Sequence, residues 1–486
     1  MPLFDLVGYL SSDVKEAKNR VRSSVKNSGF SFPISRITVN LSPASLRKSG
    51  SGFDLPIAIS LLAASGQIPS DHLSDVMMFG ELGLNGRLRP VRGILPMALA
   101  AKKAGFSHVL VPTENQKEAS LVPNLTVLAV SSLSEAAFFF RGGTIESHAE
   151  EQTVSSFDGS SQEEHVDFSS IRGQSLLKRA CEISAAGMHN LLFVGPPGAG
   201  KTLAARALPT ILPPMKEEEQ LEVSRIYSAC GLFGERESLM LRRPFRSPHH
   251  TATPAALSGG GFRATPGEVS LAHGGVLFLD ELPEFRRETL EILRQPLEER
   301  RIVITRRSGV YTYPADFILL AAMNPCRCGY YPDLSRCTCT RTDVLRYHSK
   351  LSGPLLDRID LFVHVPEADF MDLTSDEPEE SSETIRCRVM KAHQIQAERF
   401  SGKNYHFNGR IPAADLGEFC TLGESEKAFA KSCFESLHMT ARGYHRLLRI
   451  GRTIADLDGS GSILKRHLEE ALFYKSFRLL MKGEGL

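Results

Sequence analysis

The sequence predicts an α/β protein with a helical C-terminal part, and three apolar runs predict it. Leu191-Leu-Phe-Val194 leads into a glycine-rich loop, and residues 203–208 beyond the loop read as a helix. Val276-Leu-Phe-Leu279 ends in two adjacent carboxylates, Asp280 and Glu281, and residues 317–323 end in Asn324. Each run reads as a buried strand, and strand, glycine loop and helix in succession are an α/β unit.

The loop comprises Gly195, Pro196, Pro197, Gly198, Ala199, Gly200, Lys201 and Thr202. It fits G-x-x-x-x-G-K-[ST], the phosphate-binding P-loop of ATP- and GTP-binding proteins. Gly198 and Gly200 let backbone N–H groups turn inward around phosphates, with a helix N-terminus behind them. Lys201 supplies a point charge, and Thr202 offers a hydroxyl to Mg²⁺. A chance glycine turn is the alternative, and the agreement of motif and flanks weighs against it. Pro209 is expected to stop the helix. Asp280 and Glu281 fit a Walker B strand end. Asp280 would hold Mg²⁺ through its water shell, and Glu281 would orient and polarise the attacking water.

Composition narrows the class. With 57 Lys+Arg against 56 Asp+Glu the net charge is +1, so any nucleic-acid site must be local. Residues 1–5 have neither a basic n-region nor an apolar h-region. The longest apolar runs, 55–64 and 317–323, are too short to span a bilayer. The expectation is a cytoplasmic protein, away from membranes, with reduced thiols.

Residues 1–140 read as an independent α/β module. Residues 36–41 form a strand, and 54–64 a buried helix with Pro56 in its first turn. Residues 77–84 and 87–91 form a hairpin on a type I′ turn at Asn85-Gly86. Residues 95–104 form a helix capped by Gly105, and 108–112 a strand. Residues 141–165, rich in Ser, Gly and acids, read as a linker. Residues 166–366 form the P-loop core, opening with a helix at 176–186. Residues 367–384 read as a solvated acidic linker, and 385–486 as a helical lid. In the lid Leu447, Ile450, Ile454 and Leu457 recur at helical spacing, with Arg442, Arg446 and Arg449 on the other side.

Cys326, Cys328, Cys337 and Cys339 could make a tetrahedral Cys₄ zinc site, with free loop thiols as the alternative. The remaining five cysteines read as core fillers, and the His249-His250 pair as a loop feature rather than a ligand site.

The segment Gly80-Glu-Leu-Gly-Leu-Asn-Gly-Arg-Leu-Arg-Pro-Val-Arg-Gly93, with Val109-Leu-Val-Pro-Thr-Glu-Asn115, resembles the Lon-protease proteolytic domain, an S5-type α/β fold. That family uses a Ser–Lys dyad. Here Gly52-Phe-Asp-Leu-Pro56 lies near the serine position and Leu95 near the lysine position. A carboxylate cannot serve as the acylating hydroxyl, nor a leucine as its base, so the resemblance implies a scaffold without peptidase activity. Similar domains begin with an extra strand or two, so the N-terminal edge is expected to be incomplete.

The core resembles AAA+ ATPases. The resemblance implies that Asn324 is sensor 1 and that Arg358, in Gly353-Pro-Leu-Leu-Asp-Arg-Ile-Asp-Leu361, is an arginine finger acting on a neighbouring subunit. A surface ion pair of Arg358 with Asp357 or Asp360 is the alternative. Thr440-Ala-Arg-Gly443 resembles sensor 2, which makes Arg442 a nucleotide contact from the lid. The segment 246–261 and the hairpin 301–305/310–313 match the helix 2 insert and presensor 1 hairpin of the clade with magnesium chelatase and MCM helicases.

Arg246-Ser-Pro-His-His250, Pro266-Gly-Glu-Val-Ser-Leu-Ala-His-Gly-Gly275 and Asp280-Glu-Leu-Pro-Glu-Phe285 resemble the YifB/ComM family, whose ComM-type members are hexameric branch-migration helicases of natural transformation. The resemblance implies an ATP- and Mg²⁺-dependent homo-hexamer acting on single-stranded or branched DNA. Arg306 and Arg307, at the hairpin tip, would grip phosphates, although a merely solvated turn fits the residues too. A chelatase-type motor, a protein-remodelling machine and an ATP-binding scaffold are the rival readings.

Overall fold

The computed structural model describes residues 3–145, 156–157, 166–233, 239–261, 264–306, 309–367, 369–374 and 378–481. Among these, no helix is long and apolar enough to cross a membrane.

The N-terminal module is built around the helix Asp54–Ala64, which buries Leu55, Ile57, Ala58, Ile59, Leu61 and Leu62. A helix apolar on nearly every side is stable only when covered all round. A three-stranded parallel sheet provides part of the cover, in the order Val76–Met78, His108–Pro112, Thr126–Val130. Alternation along its strands sends Leu110 and Leu128 toward this helix and Val109, Val111 and Val127 toward the helix Ile94–Lys103. A separate parallel pair joins Phe4–Val7 to Ile37–Asn40.

Two dyad-related positions are structural here. Asp54 is fully buried; Arg20 grips both carboxylate oxygens at 2.6 and 3.0 Å, and the Leu82 N–H donates to it at 3.1 Å. Burial pushes its pKa up, and the Arg20 contact works against that. Leu95 is fully buried, and its N–H donates to Glu118 at 3.1 Å.

The hairpin departs from its expected form. Met77 and Met78 join the parallel sheet, leaving Glu81–Leu82 paired with Leu88–Arg89. A type I′ turn needs positive φ at both central residues. Only Gly86, at +84°, has it; Asn85 does not, and the Gly86 N–H closes the turn onto the Gly83 carbonyl.

The core sheet has five parallel strands in the order Phe245–Arg246, Val276–Leu279, Ile318–Met323, Leu191–Val194, Leu361–His364. Separate apolar clusters cover its two faces, as parallel sheets require. The P-loop strand comes first of the five in the chain and has later strands on both sides, Ile318–Met323 and Leu361–His364, so its carboxyl end opens where the connections part to either side, the place where α/β sheets bind ligands.

Three other local expectations are corrected. The P-loop helix runs Lys201–Ile211 with Pro209 inside its last turn, where Thr210 Oγ1 donates to the Ala207 carbonyl at 2.7 Å. Within the expected linker 141–165, Ser156–Phe157 pairs in parallel with Leu239–Met240; residues 146–155 and 158–165 lie outside the described residues. The acidic segment 367–384 is not simply solvated. It contains the helix Phe370–Thr374, Glu379 meets Lys178 at 2.5 Å, and Glu380 pairs with Arg388. Lys178 comes from a helix far earlier in the chain and Arg388 from the helix that follows, and composition cannot reveal either pairing.

The lid helix Ala441–Leu457 buries Leu447, Ile450 and Ile454, with Leu457 half-buried. Its arginines do not share a solvated face. Arg446 is buried and donates to the Ile359 carbonyl at 2.7 Å, and half-buried Arg449 donates to the Ile411 carbonyl at 2.9 Å. Only Arg442 of the three is exposed.

Asp54→Ala would leave the Arg20 guanidinium partly buried without its carboxylate. We expect a loss of about 3–5 kcal/mol of stability in the N-terminal module, read by denaturant titration.

Candidate nucleotide and metal sites

The carboxyl ends of the central strands surround a cavity of about 520 Å³ lined by the loop 197–203, Asp280, Glu281, Glu284, Met323, Asn324, Arg327 and Tyr347. Lys201 Nζ donates to the Gly195 and Pro196 carbonyls, both at 2.7 Å, and to Asn324 Oδ1 at 3.1 Å. Burial lowers the Lys201 pKa to about 8 against the opposing pull of Asp280. Thr202 Oγ1 donates to Asp280 Oδ2 at 2.9 Å, while Asp280 Oδ1 accepts the Glu281 N–H at 2.8 Å. The paired Thr202 and Asp280 oxygens are the hard donors that Mg²⁺ prefers.

The residues fit a polyphosphate. Gly198 and Gly200 have φ of +79° and +86°, and a Cβ built on either would meet nothing within 4 Å. Their backbone therefore faces open space at the N-terminus of the helix Lys201–Ile211, the arrangement that binds phosphate.

Glu281 carries φ of +51°, unusual for a residue with a side chain. That conformation directs the chain out of the strand into the turn Leu282–Glu284. Its carboxylate lies 3.5 Å from His250 Nδ1, and the His249 ring lies 4.1 Å from that of His250. The histidine pair is thus more than a loop feature, because it adjoins the candidate water-orienting residue. Nothing in the spacing of residues 250 and 281 announces that contact.

The four loop cysteines also converge. Their sulfurs all lie within 4.8 Å of one another, with Cys326 Sγ at 3.3 Å from Cys328 and 3.8 Å from Cys337. A tetrahedral thiolate site with metal–sulfur bonds of about 2.3 Å has sulfur–sulfur edges near ~3.8 Å. Burial works against a thiolate at Cys328, yet the Tyr330 amide and the Cys326 thiol, hydrogen-bonded to its sulfur, bring its pKa down to about 5. Cys326 is buried and the other three are half-buried.

Three family models match in succession: a magnesium chelatase subunit ChlI model over residues 167–373, a model of subunit ChlI of Mg-chelatase over 1–115, and a ChlI C-terminal model over 379–475. Competence protein ComM of Haemophilus influenzae is 42% identical over 484 residues, covering 99% of this chain and 94% of that protein. The uncharacterized protein YifB of Escherichia coli is 41% identical over 488 residues, covering 100% of this chain and 94% of that one. The chain belongs to the YifB/ComM family of magnesium-chelatase-like AAA+ proteins. A Lon protease of Syntrophomonas wolfei is 32% identical over 125 residues, 24% of this chain and 15% of that protein.

The family's motif segments meet in space. Arg246 of the RSPHH segment pairs with Glu268 through two contacts of 2.7 and 2.8 Å. The hairpin Arg301–Arg306 with Gly309–Pro314 leans on the chain just after the segment 246–261: Tyr313 Oη donates to the Ala264 carbonyl at 2.7 Å. Exposed Arg306 lies against Gly260, where an added Cβ would stand 2.7 Å from its Nη2. Arg307 lies outside the described residues.

Arg358 and Arg442 do not line the cavity; both reach the exposed carboxylate of Glu298. The Arg358 pair is therefore with Glu298, not with Asp357 or Asp360. Arg442, expected to contact nucleotide from the lid, is 2.7 Å from Glu298 Oε1, so the chain's own lid does not bring it to its own P-loop. Glu298 had no signal in the sequence, since it is one acid in a charged helix end.

Because the phosphate chain of a nucleotide would stabilise protonated Lys201, ATP affinity should be flat below pH 8 and weaken as pH rises through about 8. Titration of a fluorescent ATP analogue across that range checks it; an affinity unchanged up to pH 9.5 would contradict the role of Lys201.

Proposed function

We propose that this chain is an ATP-hydrolysing AAA+ motor that works in the cytoplasm as a homo-hexameric ring on branched or single-stranded DNA, a branch-migration helicase of natural transformation or recombination. The observation that carries the reading is the meeting of Lys201, Thr202, Asp280, Glu281 and Asn324 at one cavity. Lys201 and the loop amides would bind the phosphates, Thr202 and Asp280 would hold Mg²⁺, and Glu281 would orient the attacking water while Asn324 monitors the outer phosphate. The Cys₄ cluster would hold zinc. The Lon-like module, with Asp54 and Leu95 at the dyad-related positions, would act as a scaffold rather than a protease.

The arginines support the ring reading. Arg358 and Arg442 share Glu298 on a surface apart from their own cavity, so each would serve the site of a neighbouring subunit. Glu298 would hold both until a neighbour's phosphates compete for them. Arg358→Ala subunits should bind ATP yet fail to support hydrolysis next door, and Asp280→Asn subunits should fail in their own site. Mixed rings should recover part of the ATP turnover. If rings shown to be mixed recovered none, Arg358 would not act in trans.

DNA binding rests on the hairpin. One strand ends at Pro314 and the chain enters the strand Ile318–Met323, which delivers Asn324. Tip and cavity are thus joined by a short rigid path. With Arg306 and Arg307 both replaced by Ala, DNA affinity should fall, its salt dependence should flatten, and stimulation of ATP turnover by a four-way junction should be lost. Normal junction migration by the double variant would move the grip elsewhere. ATP turnover that responds to no DNA in the parent protein would favour the protein-remodelling alternative.

A further inference from the structure

Between the first two cysteines of the cluster stands Arg327, and it lines the phosphate cavity. It follows Asn324 by three positions, and Asn324 Oδ1 accepts from Lys201 Nζ at 3.1 Å. Its neighbours on both sides, Cys326 and Cys328, belong to the cluster, so a metal there would fix the backbone before and after it. The far end of the same segment behaves alike. Cys337 and Cys339 lead into the helix Arg341–His348, whose Tyr347 lines the same cavity and whose His348 Nε2 lies 2.8 Å from the Pro325 carbonyl.

The segment also presses on the P-loop. Gly329 has φ of +94°, and a Cβ added there would stand 2.6 Å from Pro197 Cδ. No other residue type fits such an approach without moving the loop. Asp343, a carboxylate whose charge feels Arg327, is engaged by Thr340, accepting from its N–H at 3.1 Å and its hydroxyl at 2.6 Å.

We propose that Arg327 is an additional phosphate-binding residue of the nucleotide site, and that a Zn²⁺-type ion on Cys326, Cys328, Cys337 and Cys339 is the clasp that holds it there. The proposal rests on the nucleotide reading given above and extends it. An exposed arginine on an irregular loop samples many rotamers and gains little from binding; the same arginine on a backbone fixed at both sides has less freedom to lose. The metal supplies no chemistry to the phosphates. It closes the segment 326–339 into a rigid loop that carries Arg327 at one border and leads at the other into the helix bearing Tyr347. The consequence is a link between thiol state and nucleotide affinity: loss of the metal, or oxidation of the thiols that hold it, loosens ATP without touching the P-loop.

The test uses the full chain carrying Glu281→Gln, with ATP affinity measured by titration of a fluorescent analogue and metal content by elemental analysis. The parent should hold about one zinc per chain. Arg327→Ala should keep the zinc, retain its melting temperature and lose about tenfold in ATP affinity, the loss of one charge-assisted hydrogen bond. Arg327→Lys should recover part of it. Stripping the metal should weaken the parent about as much and weaken Arg327→Ala no further. An Arg327→Ala protein that binds ATP like its parent, while Lys201→Ala does not bind, overturns the proposal and leaves the nucleotide site standing. If Lys201→Ala also binds like the parent, both fall. A chain purified without chelator that carries no metal, or equal loss on stripping in parent and Arg327→Ala, overturns the clasp.

Discussion

The nucleotide-type cavity depends on one ammonium held where a parallel sheet ends. Lys201 is buried, and three oxygens, two from the loop carbonyls and one from Asn324, compensate its charge. Those oxygens come from two adjacent strand ends, so the lysine is positioned by the register of the sheet as much as by the loop. Desolvation keeps its pKa near 8, close enough to working pH for an arriving anion to matter. Asp280 enters from the next strand but one, and Thr202 ties it to the first turn of the P-loop helix. The chemistry thus sits at the seam of three strands, at the N-terminus of the helix Lys201–Ile211, whose dipole favours an anion there.

From that seam, rigid connections run outward. Asn190, at the foot of the P-loop strand, donates its backbone N–H to Asp360 at 2.9 Å and its side-chain amide to the Arg358 carbonyl at 2.8 Å, and it accepts from the Leu319 N–H at 2.9 Å. One side chain thereby locks the strand before the P-loop to the strand bearing Asn324 and to the backbone of the candidate finger. Arg446 adds the lid, through the Ile359 carbonyl and a 3.5 Å contact with Asp360. On the opposite side Arg243, just before the edge strand Phe245–Arg246, donates to the carbonyls of Pro213 and Gly274 at 2.6 Å each. Charged groups buried at these joints are expensive to leave unpaired, and that penalty favours one arrangement of lid and core.

The Lon-like module packs directly on the core. Its helix Ile94–Lys103 packs against the core helix Glu217–Cys230, and Leu221 of the latter adjoins the module's apolar cluster. Gly231 ends that helix at φ of +67°, and a Cβ there would stand 2.6 Å from Arg92 Cδ. Near the positions where the protease fold keeps a nucleophile and its base, this chain buries Asp54, paired with half-buried Arg20, and Leu95.

The amino-acid order alone determined the elements whose signal is local. The helix Asp54–Ala64 and the strands His108–Pro112 and Val276–Leu279 are continuous apolar runs, and burial on all sides leaves such runs no other place. The P-loop and Walker residues were legible for the same reason, since their chemistry demands adjacent residues at fixed spacing. The cysteine cluster was legible as composition. What the order could not decide were partnerships across the fold. Glu298 drawing Arg358 and Arg442 together, His250 beside Glu281, Arg446 turned inward and Glu379 on Lys178 all join residues far apart in the chain. A charge in a sequence is only a charge. Whether it faces solvent, docks a lid or waits for a phosphate depends on which distant group the tertiary structure brings within a few ångströms, because Coulombic and hydrogen-bond energies are settled by distance and desolvation rather than by residue order.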